Sequence, residues 1–391
     1  MNLKKLIIYS SVFSIQGLSN AVIPILPELA GAGSEDTFAS NLLFSGYFIG
    51  ALLALVPFGI LADRMGNLKI IGFGVLLTAL SGTVISFSEN LWILGIARFI
   101  EGVGCGAFFP AAFSMISEWK DSQRSLGEFN FLLNAGLATG VLLSGMLAGR
   151  GIKTTLVIFT ILAGVSCIFL LFRAGEILPS GIKEQKLTLR NNNYPEKNIR
   201  DISSNRQEIS LLFKFKKHLK EVKEIVFESN MGHLWGVSVL LYATTGILTA
   251  NYADYSSGFL TKPELGLAIS ASYLAAMFSS LVAGRAKVSS KSIVRVGIIL
   301  ASTGIFLSIK MPVLAFTLIG AGGGIAVVGM ITAVSKINSS GFAMGFFNTG
   351  IYAGLGLGPI IGSLFLESSG YESVFLGSGL LLLTTLFVKF E

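Results

Sequence analysis

The chain has 391 residues, of which 52% are apolar and only 13% charged, a balance that excludes an ordinary soluble domain and marks a polytopic membrane protein. Its net charge of +7 is distributed over short clusters between long apolar runs. Such a charge reports membrane topology and gives little support to nucleic-acid binding.

A helix needs about 20 mostly apolar residues to cross the hydrocarbon with its backbone groups satisfied. The sequence offers segments of that kind at 6–29, 38–62, 70–88, 91–115, 126–149 and 154–173, and then at 232–253, 263–284, 292–309, 311–334, 342–366 and 372–388. A β-barrel is excluded because runs such as 377–388 do not alternate. The expected fold is therefore an all-α membrane protein with twelve spanning helices.

Lys4 and Lys5 precede the first span, which runs through Pro24 and Pro27 without a small-residue cleavage site and so reads as a spanning helix rather than a leader. With the N-terminus inside, Lys4, Lys5, Arg64, Lys69, Lys120, Arg124, Arg285, Lys287, Lys291, Arg295, Lys336 and Lys389 fall on the cytoplasmic side. Only Arg150, Lys153, Lys262 and Lys310 fall outside. Both termini are expected in the cytoplasm, in a plasma or inner membrane.

After the second span comes Gly59, Ile60, Leu61, Ala62, Asp63, Arg64, Met65, Gly66, where the glycines permit close packing and a tight turn and Asp63 offers a carboxylate at the bundle edge. The fourth span carries Arg98 and Glu101, the two charged residues well inside any span. Counted from Leu91 they sit about 10 and 15 Å deep at 1.5 Å per residue. Each costs about 2.5 to 3.5 kcal/mol on insertion scales. Spaced i,i+3, they share a helix face and can pair. Two readings stay open: a permanent ion pair that makes both charges tolerable, or a carboxylate that binds and releases a proton while burial and Arg98 pull on it in opposite senses.

From Glu101 the same face continues through Cys105, Phe108 and Ala112. Gln16 and Asn20 on the first span, Asn134 on the fifth, Tyr242 on the seventh, and Asn348 and Tyr352 on the eleventh add scattered polar groups that either line a substrate cavity or make packing hydrogen bonds. One acidic group among aromatic walls suits an amphipathic neutral or cationic solute better than a phosphate. Cys105 and Cys167 read as packing residues, and the two histidines, His218 and His233, leave no plausible histidine metal cluster. No cofactor is expected.

A hydrophilic stretch at 174–230, with 11 Lys or Arg against 8 Asp or Glu, joins a six-helix bundle at 1–173 to a second at 231–391. Within it Leu212, Phe215, Leu219, Val222 and Val226 recur at helical spacing among lysines, as either a membrane-surface helix or a solvated linker patch.

The two bundles echo one another at a fixed offset of 218 residues. Gly102, Gly104, Gly106, Gly127, Phe129, Asn130, Gly136 and Gly140 return as Gly320, Gly322, Gly324, Gly345, Phe347, Asn348, Gly354 and Gly358. The repeat predicts two pseudo-symmetric six-helix bundles of the kind found in transporters.

Gly59 to Gly66 resembles the G-x-L-a-D-r-x-G signature of the major facilitator superfamily, with Asn67 and Leu68 where basic residues often follow. The resemblance covers the whole chain and implies the major facilitator fold, in which Asp63 faces the N-terminus of the eleventh span when the cytoplasmic side is closed. Arg98, Glu101, Gly102 and Gly104 resemble the R-x-x-Q-G-x-G pattern of the drug:proton antiporter branch, with glutamate for glutamine. Gly136, Gly140 and Gly145 resemble that branch's G-x-x-x-G-P motif with Val141 for proline, whereas Gly354, Gly358, Pro359 and Gly362 complete it in the second half. These glycines serve close packing, helix bending, or both.

The expected function is secondary transport of a small amphipathic solute by alternating access, as proton-coupled export from a monomer in the lipid bilayer. Import of a nutrient by a facilitator or proton symporter is the alternative, and a transporter-like sensor a second. A membrane enzyme is disfavoured, since no nucleophile, metal cluster or paired-carboxylate constellation stands out.

Overall fold

The computed structural model describes residues 3–31, 37–177, 231–337 and 341–388. The amphipathic segment expected at 212–226 lies outside them. The described residues form α1 (Leu3–Ala21), α2 (Leu26–Gly31), α3 (Thr37–Met65), α4 (Asn67–Phe87), α5 (Leu91–Ser117), α6 (Ser122–Leu147), α7 (Thr154–Ile177), α8 (Met231–Tyr255), α9 (Lys262–Arg285), α10 (Ser290–Leu307), α11 (Pro312–Ile337) and α12 (Gly341–Thr384), with no strand among them. Ten helical stretches are long and apolar enough to cross a membrane, and the shorter Thr154–Leu170 is also apolar. One of the ten, Ala343–Phe387, is 45 residues long and is divided at Gly370 into two crossings, so the described residues make twelve crossings with Thr154–Leu170 included.

Three boundaries differ from the expectation. The first span is interrupted by a 3-10 turn, Ile23–Ile25, because Pro24 supplies no amide hydrogen for a continuous α-helix. The stretch from Gly59 is not a loop: α3 stays helical through Met65, and Gly66 alone makes the turn with φ 92°. The eleventh and twelfth spans also join without a loop, at Gly370 with φ 72°. Both glycines adopt a left-handed conformation that side chains disfavour. Elsewhere polar caps start the helices, as Asn90 accepts the amides of Trp92 and Ile93 and Thr261 forms a capping box with Glu264.

The repeated glycines perform matching packing work in both halves. A Cβ at Gly136 would stand 2.5 Å from the Phe13 carbonyl, and one at Gly354 would stand 2.5 Å from the Val239 carbonyl. Gly140 likewise meets Gly17, and Gly358 meets Ala243. Thus α6 lies on α1 as α12 lies on α8, with backbones too close for any side chain. Gly102 and Gly320 press in the same way on the carbonyls of Tyr47 and Ser272.

The molecule has a linker end, where α1 starts and α8 starts, and a far end opposite. One hydrophobic cluster joins both halves, and its first-half members lie toward the far end, including Val22, Ile25, Leu43, Val141 and Leu156 beside Leu248, Ala253 and Leu265. The first half's core toward the linker end, with Ile7, Val12, Phe108, Ile116 and Phe129, contains no residue of the second half. At that end Gly127 and Gly345 have nothing within 4 Å where a Cβ would stand. Among the described residues, the hydrophobic contacts that join the halves lie toward the far end.

Candidate functional site

Arg98 and Glu101 are one turn apart on α5, with 2% and 0% of their surfaces exposed. Arg98 Nη1 donates to Glu101 Oε2 at 2.5 Å, and Arg98 Nε donates to the Leu43 carbonyl at 3.2 Å. The guanidinium also lies 4.9 Å from the ring centre of Tyr47, a cation–π distance. Arg98 is therefore engaged by a carboxylate, a backbone carbonyl and an aromatic face. Glu101 is not saturated: its Oε1 is buried with no hydrogen-bond partner among the described residues. That oxygen can take a proton or accept a hydrogen bond from a bound molecule.

Neighbouring helices complete the cluster. The Tyr47 hydroxyl on α3 donates to Gln16 Oε1 on α1 at 3.2 Å. The Cys105 thiol, one turn beyond Glu101, is within electrostatic reach of the hydroxyls of both Tyr47 and Tyr352. Tyr352 belongs to α12, and its ring lies 6.4 Å from that of Phe48 on α3. The polar cluster thus crosses the seam between the halves. Tyr242 on α8 packs against α12 at Gly354, within electrostatic reach of Tyr352.

Of the residues expected around the cavity, Gln16, Cys105 and Tyr352 meet at the Arg98–Glu101 pair. Asn20 instead reaches the Leu137 carbonyl at 3.5 Å and is within electrostatic reach of the Tyr273 hydroxyl of α9. Asn134 bonds back to the Asn130 carbonyl at 2.9 Å, and Asn348 is exposed on α12. Phe108 is wholly buried in the first half, stacked on Phe129 and edge-on to Phe109. It shares a helix face with Glu101, but this deeper stretch of α5 faces α4 and α6 in place of the seam, as the close approach of Gly74 to Phe108 records.

At the linker end, Asp63 and Arg64 are exposed on the last turn of α3. Gly59 has only an ordinary contact, with a Cβ there standing 3.6 Å from Pro110. At the far end the seam is closed by polar contacts that sequence reading did not anticipate. Asn41 of α3 and Asn251 of α8 are fully buried and exchange amide hydrogen bonds of 2.6 and 3.1 Å. Lys262 at the start of α9 binds Glu28 of α2 at 2.8 Å and the Pro24 carbonyl at 2.7 Å. Gly145 of α6 meets the backbone of Lys262 and Gly266.

The profile of the Major Facilitator Superfamily matches residues 8–260 and 234–390. Among curated proteins, the multidrug resistance protein MdtG of Citrobacter koseri is 29% identical over 166 residues, covering 40% of this chain and 40% of that protein. The quinolone resistance protein NorA of Staphylococcus aureus is 27% identical over 156 residues, 38% of this chain and 39% of that one. A putative inorganic phosphate cotransporter of Drosophila melanogaster is 28% identical over 131 residues, 32% of this chain and 24% of that one. These alignments span 24% to 40% of the relatives' own length. Among solved structures, the nucleoside transporter NupG superimposes with a TM-score of 0.70 over 98% of this chain and 100% of that one, at 15% identity. At that identity the likeness is one of fold.

Proposed function

The chain belongs to the major facilitator superfamily, and from that premise we propose that it exports a small amphipathic, neutral or cationic solute in exchange for protons, with Glu101 as the proton-carrying group. In this reading the linker end is cytoplasmic, 1–173 and 231–391 are the two rocking bundles, and 174–230 tethers them in the cytoplasm. The membrane is a plasma or inner membrane and the working unit a monomer. The arrangement described above is then the inward-open state. Rocking opens the Glu28–Lys262 and Asn41–Asn251 contacts and brings Asp63 toward the start of α12.

One observation carries the proposal: a buried carboxylate oxygen without a partner stands beside a guanidinium already engaged on three sides. Arg98 is poorly placed to recruit an anion, so the site favours hydrogen-bond donors and cations over phosphate or carboxylate. Similarity to drug-resistance proteins supports export, whereas the phosphate cotransporter name and Val141 in the proline position support import as the second reading.

Thermal stabilisation of the purified protein discriminates them, because a ligand that binds the folded form raises its melting temperature. We expect stabilisation by a quinolone or the lipophilic cation ethidium, and none by inorganic phosphate or a nucleoside. Stabilisation by phosphate alone would replace export with anion import. Cysteines introduced at Glu89 and Ser203 should react with impermeant reagents from opposite sides of the membrane. Reaction from one side would refute the orientation.

A further inference from the structure

The far-end seam holds a second carboxylate that the transport scheme has not used. Asp254 lies near the end of α8, and its Oδ2 is buried without a hydrogen-bond partner among the described residues. Ser40 of α3, Lys262 and Glu28 are within electrostatic reach of the carboxyl group. Among the described residues, Tyr371 of α12 is a further titratable neighbour. A cavity of about 340 Å³ adjoins this corner, lined among others by Glu28, Ala253, Ser256, Thr261 and Lys262.

Lys262 and Asp254 belong to the second half, whereas Glu28 belongs to the first. In the closed far end Lys262 is bound to Glu28, across the seam. When α2 separates from α9, that bond must break and would leave an ammonium group stranded in a partly buried position, which is costly. A carboxylate oxygen lacking a partner among the described residues stands on the same half, and the cavity gives the Lys262 side chain room to move. We propose that Asp254 is a gating residue of the transport cycle: Lys262 exchanges Glu28 for Asp254 as the far end opens, so that the cation is paired in both states. The buried Asn41–Asn251 pair, which makes the same cross-seam connection without charge, breaks in the same motion. The inference does not depend on the solute or on Glu101.

An exchange of partners makes an unusual demand: neutralising the two acids must move the gate in opposite directions. Spin labels at Glu89 and Lys310, exposed on far-end turns of the two halves, report the opening as a distance by pulsed electron resonance, in a background with Cys105 and Cys167 replaced by alanine. Glu28→Gln should raise the open-to-closed ratio by about tenfold, and Asp254→Asn should lower it by a similar factor. In a Lys262→Met background both shifts should vanish, since nothing remains to be exchanged. Asp254→Glu should behave as the parent and controls for any folding defect of Asp254→Asn. Shifts in the same direction, or shifts that persist without Lys262, would overturn the proposal.

Discussion

The two halves share one scaffold and differ where it matters. At the 218-residue offset Arg98 and Glu101 correspond to Phe316 and Ile319, with 1% and 3% of their surfaces exposed against 2% and 0% for the charged pair. Phe316 is edge-on to Tyr252 at 4.9 Å, while Arg98 lies over the face of Tyr47. The glycine contacts around both sites are alike, so the architecture accepts an apolar filling at this place. A buried ion pair is often no more stabilising than a well-packed apolar substitute. Its presence in one half only is better explained by work done in transport than by folding.

That comparison can be broken most severely by removing one charge. Arg98→Ala leaves Glu101 buried without its cation, and a loss of about 3 to 5 kcal/mol is expected in chemical denaturation. Transplanting the second half's solution, Arg98→Phe with Glu101→Ile, should restore most of that stability while abolishing proton-coupled transport. A double variant as unstable as Arg98→Ala would show that the halves are not equivalent in packing. The shared scaffold gives the next effect: Gly140→Val and Gly358→Val should each cost about 1 to 3 kcal/mol by overpacking, and by similar amounts. A large inequality would mean that one helix pair tolerates separation and the other does not.

The smallest effect concerns an asymmetry in sequence. The segment that follows the eighth span, Gly284, Arg285, Ala286, Lys287, lacks an acidic residue to match Asp63. Asp63 is exposed in the present state, so Asp63→Asn should leave folding unchanged and act only on the closed linker end. A shift of about two- to fivefold toward the open linker end is expected from losing one charge at a helix N-terminus. Unchanged distances between the linker-end tips of α3 and α12 would reduce Asp63 to a turn residue.

Much of this was legible in the chain because hydrophobic length and repeat spacing are local properties. The twelve crossings, the paired glycines and the Arg98–Glu101 contact all follow from residues that are near in sequence or tied by one offset. What escaped depends on contacts between distant segments. Leu43 and Tyr47, which hold Arg98, lie on another helix, and nothing in their own neighbourhood announces a guanidinium. Asn41 and Asn251 are 210 residues apart, and Glu28 and Lys262 are 234 apart. Periodicity placed Phe108 on the face of Glu101, yet crossing helices change that face's neighbours within two turns. Helix continuity past Asp63 was hidden because α3 continues until Gly66, and only that residue breaks it.

In the proposed cycle Glu101 carries the proton. Proteoliposomes containing parent or Glu101→Gln protein, loaded by an imposed pH gradient with ethidium as the transported cation, test it directly. The amide keeps the shape of the side chain and removes its titration. The folded variant should lose gradient-driven accumulation while still exchanging ethidium down its own gradient. Full accumulation by Glu101→Gln, in vesicles where the parent also accumulates, would contradict it and return the Arg98–Glu101 pair to a structural role.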